Sequence, residues 1–239
     1  KRGCGGDEGR CLDLLVIRVG QSGMQPQALF GALLCLAWQP LAADSSIEWT
    51  EVATLPPTEG EAENPGVAGP FVGVHKDALI IAGGANFPNK PLWETTKVWQ
   101  DEIHVLEKRG ETFAWRTGGK LPGPLAYGAS VSTPDGVVCM GGDDGARVTS
   151  DVFSLEWDAS AGQVRQMAYP SLPGPCAYGQ AALADGTIYL AGGQSEQTLD
   201  TALHSFWALD LSKKGQADFA WEVLDAWPGL NRAFNLTAT

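Results

Sequence analysis

One loop holds most of the side chains suited to recognising a small polar ligand. Between Ala85 and Trp99 the sequence combines two tryptophans, asparagines, a glutamate and two lysines. Tryptophan faces stack on the apolar side of a sugar ring, while amide, carboxylate and ammonium groups bind its polar edges. We therefore predict a sugar site that includes Asn86, Lys97 and Trp99, with Glu94 as the candidate general acid or base. The alternative is a surface loop whose tryptophans only cover the sheet beneath it.

Further candidate residues follow turns that recur along the chain. Tyr127 and Tyr178 come after two Pro-Gly-Pro turns, and a third turn, Pro-Gly-Leu, delivers Phe234 or Arg232. Arg147 lies in a short acidic loop, where it either binds a ligand carboxylate in a bidentate manner or pairs with a neighbouring aspartate. We predict that Tyr127, Tyr178, Arg147 and Arg232 bind the same substrate as the long loop.

The positions of these loops follow from a repeated pattern of short strands. Three apolar runs end in a glycine pair, at Gly83-Gly84, Gly141-Gly142 and Gly192-Gly193. A polar loop and two more strand-like segments follow each pair, so each unit predicts four short strands. A period of roughly 50 residues with this glycine pair is typical of kelch repeats, in which each unit is one propeller blade. The predicted fold is therefore all-β, a kelch-type β-propeller that is six-bladed when complete, with about three and a half blades here.

The ends of the repeat array predict partial blades. Ile47–Val52 is similar to the outermost strand of a blade, and Arg232–Leu236 to the innermost strand of a fourth unit. We expect further blades beyond Thr239 in the complete protein. In a propeller, the turns that enter each blade and the loops between its second and third strands open on one face. The predicted site residues should therefore meet at one mouth of the central channel.

Residues 1–46 differ in character from the repeats. Residues 28–38 form an apolar run that is too short to cross a bilayer, which takes about 20 residues. We predict a signal peptide over 24–43 that begins at Met24, a non-native upstream segment over 1–23, and the partial propeller over 47–239. The alternative for the apolar run is a buried helix or strand. The mature protein is then expected to be periplasmic or secreted, with no membrane association after cleavage.

Charge and composition exclude several classes of function. The chain has 28 acidic and 16 basic residues, a net charge of −12, which excludes nucleic acid and anionic membrane surfaces as partners. His75, His104 and His204 lie far apart within strand-like runs and are predicted to be packing residues. This spacing predicts no metal site and excludes a copper oxidase of the galactose oxidase type. Cys139 and Cys176 are predicted to be free thiols, because one lies in an apolar strand and the other in a proline-flanked turn; the alternative is a disulfide between them in an exported chain.

Three segments of the sequence resemble one family of kelch proteins. They are GVAGPFVGV at 66–74, ALIIAGGANFP at 78–88 and PLWETTKVWQDEI at 91–103. All three are similar to the N-acetylneuraminate epimerase, or sialic acid mutarotase, family, and their early position resembles its cyclically permuted branch. The resemblance spans about residues 47–239. It implies an exported six-bladed propeller that interconverts the α and β anomers of a small sugar acid by acid–base catalysed ring opening, with no cofactor.

The sequence departs from the family at one important motif. The family's proposed catalytic Glu, with an Arg six residues later, lies in a Gly-Glu-x-x-Pro-Gly-x-Arg stretch, and no such stretch occurs here. We expect that pair to lie beyond Thr239, so that this fragment binds weakly or is inactive. The competing interpretation is a non-catalytic kelch propeller that binds a glycan or a protein partner.

Overall fold

The computed structural model describes residues 13–19, 47–57, 62–88 and 94–238, which belong to two compact units, 1–54 and 55–239. In the first unit, β1 (Asp13–Val19) pairs antiparallel with β2 (Ile47–Thr54). A strand does occur at Ile47–Val52, but it pairs with β1 in a two-stranded sheet and is not the outermost strand of a four-stranded blade, as the repeat pattern predicted. The sequence analysis assigned no element to β1, although its run of Leu, Val and Ile favours a strand. The predicted signal peptide, residues 24–43, lies outside the described residues.

The second unit consists of three successive four-stranded meanders, which we call blades one to three. Blade one runs through β3 (Phe71–His75), β4 (Ala78–Ala82), the short pair β5 (Ala85–Asn86) and β6 (Val98–Trp99), β7 (Glu102–Arg109) and β8 (Thr112–Lys120). Blade two contains β9 (Ala129–Thr133), β10 (Gly136–Asp143), β11 (Val148–Asp158) and β12 (Gln163–Ala168). Blade three contains β13 (Gln180–Ala184), β14 (Thr187–Ala191), β15 (Phe206–Asp210) and β16 (Glu222–Val223).

The four main strands of each blade pair antiparallel in chain order. This arrangement confirms the predicted all-β, propeller-type architecture. Two short 3-10 turns, Leu199–Thr201 and Leu211–Lys213, are the only helical elements that lie wholly within the described ranges. Over the same ranges, no helix has the length and apolar character needed to cross a membrane.

Two apolar layers hold the blades together, because each blade buries one face against the next. Phe71, Ile80 and Val105 of blade one belong to a layer with Val137 and Leu155 of blade two. The opposite face of blade two packs in the same way against blade three, through residues such as Met140, Ile188 and Leu209. The innermost strands β3, β9 and β13 are neighbours in this order. Burial of this kind stabilises by about 25 cal/mol per Å² of apolar surface.

The glycine pairs link each blade to the next through the backbone. The N–H of the second glycine donates to a carbonyl in the turn that enters the following blade: Gly84 to Leu125 (2.9 Å), Gly142 to Cys176 (2.8 Å) and Gly193 to Arg232 (2.8 Å). The first glycine of each pair has a positive φ, and a Cβ there would collide with the same carbonyl oxygen. The pairs therefore need glycine for both conformation and close approach.

The predicted strands at the C-terminal end differ from those observed. In the repeat pattern, Phe219–Trp221 is the last strand-like segment of the third unit, but it lies outside any strand, and β16 begins just after it. The reason is tertiary contact: the Phe219 ring packs on Tyr169, and the Trp221 indole N–H donates to the Pro170 carbonyl at 2.9 Å. Arg232–Leu236 is likewise not a strand, although its backbone bonds to blade three.

Candidate functional site

Three aromatic rings form a continuous stack beside the innermost strands. The Tyr127 and Tyr178 rings are stacked with their centroids 4.7 Å apart, and the Phe234 ring is tilted against Tyr178 at 4.5 Å. We call these three residues the aromatic column. Stacked rings of this kind present a surface suited to the apolar face of a sugar.

The backbone of the aromatic column repeats from blade to blade. Tyr127, Tyr178 and Phe234 have φ values of 61°, 56° and 56°, a left-handed conformation that costs a non-glycine residue about 1–3 kcal/mol. The N–H of Tyr127 donates to the Gly69 carbonyl, that of Tyr178 to Tyr127, and that of Phe234 to Tyr178, at 2.7–2.9 Å. Gly69 holds the same conformation without a side chain, and the Tyr127 ring lies against it. These bonds and ring contacts hold the strained residues in place.

A cavity of ≈ 400 Å³ lies along the aromatic column. Its lining includes the three rings, Gly69 and Pro70 of blade one, Ser130 of blade two and Gln180 of blade three. Small-molecule sites commonly have volumes of about 300–1,000 Å³ and combine aromatic walls with a few polar groups. The cavity is therefore of a size and composition suited to a monosaccharide.

Lys97 and Trp99 reach the first ring of the column from the long loop of blade one. The Lys97 Nζ lies 4.7 Å from the centroid of the Trp99 ring and 4.2 Å from that of Tyr127. The Trp99 ring packs against Gly145 of blade two. The Trp99 indole N–H is buried and has no hydrogen-bond partner within the described ranges. The loop thus places a cation over the Tyr127 ring.

A buried carboxylate lies on the blade-two side of the column. Asp143 is 3% exposed, and its Oδ1 accepts the Gly145 N–H and the Gln197 side-chain amide, each at 2.7 Å. Burial raises the pKa of Tyr178 to about 12, with further contributions from Asp143 and Tyr127. The Tyr178 hydroxyl therefore stays protonated at neutral pH and is available as a hydrogen-bond donor.

The amide of Asn86 and the carboxylate of Glu94 have different surroundings. Asn86 is buried, its Nδ2 donates to the Gly66 carbonyl at 3.1 Å, and its Oδ1 accepts from Gln100 Nε2 at 2.9 Å. This amide therefore holds the loop in place. Glu94 is exposed at the point where the described part of the loop resumes. Their predicted binding and catalytic roles stay predictions.

The two predicted arginines contact groups outside the aromatic column. Arg147 is largely exposed, and its Nε lies 3.5 Å from an Asp144 carboxylate oxygen, as in the alternative that paired it with a neighbouring aspartate. It lines a separate cavity beside the turn at 122–124. The Arg232 guanidinium lies 5.8 Å from the centre of the Trp227 ring. Of the three predicted cations, Lys97 is the one that lies over a ring of the column.

Sequence reasoning left Phe234 as an alternative to Arg232 and treated Asp143 only as a possible partner of Arg147. A signal for Phe234 was present: Ala-Tyr at 126–127 and 177–178 recurs as Ala-Phe at 233–234. Nothing local marked Asp143, because its contact with Gln197 joins residues 54 apart in the chain.

Neither the two described cysteines nor a cluster of possible metal ligands adds a reactive group to this site, as far as the described residues extend. Cys139 and Cys176 are free and buried, as predicted. Burial raises the pKa of Cys139 well above its ordinary value and that of Cys176 to about 12, so neither is a ready nucleophile. No group of three or more His, Cys, Asp or Glu residues that could hold a metal occurs in the described part of the chain.

One protein family and several curated proteins are similar to part of this chain. A family model described as N-acetylneuraminate epimerase matches residues 37–164. Proteins named N-acetylneuraminate epimerase match from Brucella melitensis, at 34% identity over 49% of this chain and 32% of the relative, and from Yersinia enterocolitica, at 34% identity over 53% and 34%. The matched region of this chain thus spans about one third of the length of these curated relatives. The family match includes Lys97, Trp99 and Tyr127, while Tyr178 and Phe234 lie beyond it.

Proposed function

Because the chain belongs to the N-acetylneuraminate epimerase family, we propose that it interconverts the α and β anomers of N-acetylneuraminate or a closely related sugar acid. The observation that carries this proposal is the aromatic column with its ≈ 400 Å³ cavity. Its rings suit the apolar face of a pyranose, and the nearby ammonium and hydroxyl groups suit its polar edge. The substrate is therefore a small sugar acid.

The proposed reaction is reversible ring opening at the anomeric carbon. A base takes the proton of the anomeric hydroxyl, the bond from that carbon to the ring oxygen breaks, and an acid protonates the ring oxygen. The open-chain ketone then recloses on its other face, with the two proton transfers reversed. No electron is gained or lost, so the step requires no redox cofactor. Glu94 stays the candidate acid or base, and the neutral Tyr178 hydroxyl is a candidate donor to a substrate oxygen.

Anomer exchange of N-acetylneuraminate, followed by NMR with the full chain, tests this proposal. The wild-type chain should accelerate exchange above the buffer rate. Tyr178→Ala removes the central ring of the column and should reduce the acceleration by roughly tenfold or more, through lost binding of the sugar face. Tyr189→Ala is the matched control, because Tyr189 is also in blade three but stacks on Phe206. Exchange at the buffer rate with the wild-type chain would contradict the proposed activity.

A second candidate function is sugar binding without catalysis. The surroundings of the two carboxylates near the site favour this function. Glu94 is exposed to solvent, and the Oδ1 of Asp143 already accepts two hydrogen bonds, so neither carboxylate is arranged as a general base. Saturable binding of the sugar to the cavity, with exchange at the buffer rate, would support this function over the first. Glu94→Gln separates the two further, since it should slow exchange but leave binding intact.

We also propose that the protein is periplasmic or secreted, on the basis of residues 24–43. Their apolar run and small-residue end are typical of a signal peptide. Fusion of residues 24–46 to a phosphatase that is active only after export tests this proposal. An inactive, intracellular fusion would contradict it.

A further inference from the structure

We propose that Lys97 makes the site select acidic over neutral sugars, by binding the sugar carboxylate with an ammonium group that lies over Tyr127, one of the three rings that line the cavity. This inference rests on the proposed function, in that it takes the cavity along the aromatic column to be a sugar site. It assigns the selectivity to Lys97 rather than to Arg147 or Arg232, the two other cations that the sequence analysis predicted to bind the substrate.

The Lys97 ammonium has aromatic neighbours, and among the described residues it has no acidic partner. Its Nζ lies 4.7 Å from the Trp99 ring centre and 4.2 Å from that of Tyr127. Other cations of the second unit, such as Lys120, Arg147 and Lys213, form ion pairs, whereas Lys97 forms none within the described ranges. A ring face attracts the positive charge and leaves the three N–H donors able to bind an anion.

A second unsatisfied group lies in the same cluster. The Trp99 indole N–H is buried without a hydrogen-bond partner in the part of the chain that the structure describes. Buried donors of this kind are uncommon, because an unmade hydrogen bond costs free energy. This donor belongs to one of the two rings that carry the Lys97 ammonium, so both unsatisfied groups are in one pair of side chains. The pair therefore favours an anionic ligand with oxygen acceptors.

Binding of N-acetylneuraminate and of its methyl ester tests this inference, because the ester removes the negative charge of one group and adds a single methyl. Dissociation constants from calorimetry should show that the wild-type chain prefers the acid by roughly ten- to hundredfold. Lys97→Met keeps the length of the side chain but removes its charge, and should bind the two ligands about equally. Lys97→Arg should keep most of the preference. The preference of the wild-type chain should also fall as salt is raised.

Two further variants make the result specific to Lys97. Lys213→Met is the matched control, because it removes a lysine that pairs with Asp218 in a surface turn of blade three, and it should keep the full preference. Arg147→Gln should keep it as well, and loss of the preference in this variant would overturn the assignment.

The outcomes separate this inference from the proposed function. If Lys97→Met keeps the full preference for the acid, or if the wild-type chain binds acid and ester equally, the inference is overturned while anomer exchange by the wild-type chain still supports the proposed function. If the wild-type chain binds neither ligand and does not accelerate exchange, both proposals fail. Thermal melts of all variants, compared with the wild type, show that each is folded when its binding is measured.

Discussion

His75 ties blade one to blade two through the backbone of Trp157. Its Nδ1 accepts the Trp157 N–H at 2.9 Å, and the neighbouring Lys76 donates to the Trp157 carbonyl at 3.3 Å. An imidazole nitrogen accepts this bond only when it carries no proton. Burial lowers the pKa of His75, and the charge of Lys76 lowers it further, while Glu156 and Asp135 act in the opposite direction. Neutral His75 is therefore part of the folded contact between the two blades.

The lowered pKa of His75 predicts a fold that weakens in mild acid. The unfolded state binds a proton at about pH 6.5, before the folded state does, so protonation favours unfolding. The contribution of His75 to stability is complete above about pH 6.5 and is lost as the pH falls through the folded-state pKa. Urea midpoints should thus be nearly constant from about pH 8 to 7 and fall towards about pH 5.

His75→Asn offers a neutral acceptor that does not titrate and should show a smaller loss of the urea midpoint between these pH values. Some loss will remain, because burial also lowers the pKa of His104, where Glu102 acts in the opposite direction. Equal pH dependence of the wild type and the variant would contradict the assignment to His75.

At the scale of the elements, the glycine pairs hold neighbouring blades in close contact. Gly141 and Gly162 have almost the same φ, 62° and 64°, but a Cβ on Gly141 would collide with the Cys176 carbonyl, whereas a Cβ on Gly162 meets nothing within 4 Å. Gly162→Ala should therefore lower the free energy of unfolding by about 1–2 kcal/mol, the cost of the left-handed conformation alone. Gly141→Ala should cost about 4 kcal/mol or more, because it adds a backbone clash. Chemical unfolding of both variants measures the difference, and equal losses would contradict the role of the close approach.

The sequence pattern predicted the repeating strands but not all of the contacts between them. The apolar runs that end in glycine pairs became β4, β10 and β14, because period and turn chemistry act locally. Predicted strands failed where rings had distant partners, as for Phe219 with Tyr169. The candidate site shows the same contrast between residues that were predicted correctly and residues that were not. Lys97, Tyr127 and Tyr178 come together because the repeat places them there, whereas Arg147 contacts Asp144, the nearest opposite charge.

At the scale of the whole propeller unit, blade two is covered on both faces and should be the slowest part to exchange its amide hydrogens. All eight residues of β10 are buried, and the strand pairs with β9 on one side and β11 on the other. Residues 224–238 form no strand and are mostly exposed or half-buried. Hydrogen exchange followed by mass spectrometry should therefore show the strongest protection in β10 and the weakest in 224–238. Similar rates in both segments would contradict this order.

The chain of backbone bonds from Phe234 to Tyr178, Tyr127 and Gly69 separates the frame of the cavity from the loops that surround it. These bonds join the turns that enter the blades, whereas the loops that follow the glycine pairs differ in length, from 85–101 in blade one to 144–147 in blade two. Loop length thus differs between the blades, whereas the distances between the ring centroids are nearly equal, at 4.7 and 4.5 Å. Such a frame is evolvable and suits loop grafting: a new loop brings new recognition groups to the same stacked rings, and ligand preference changes without a redesign of the core.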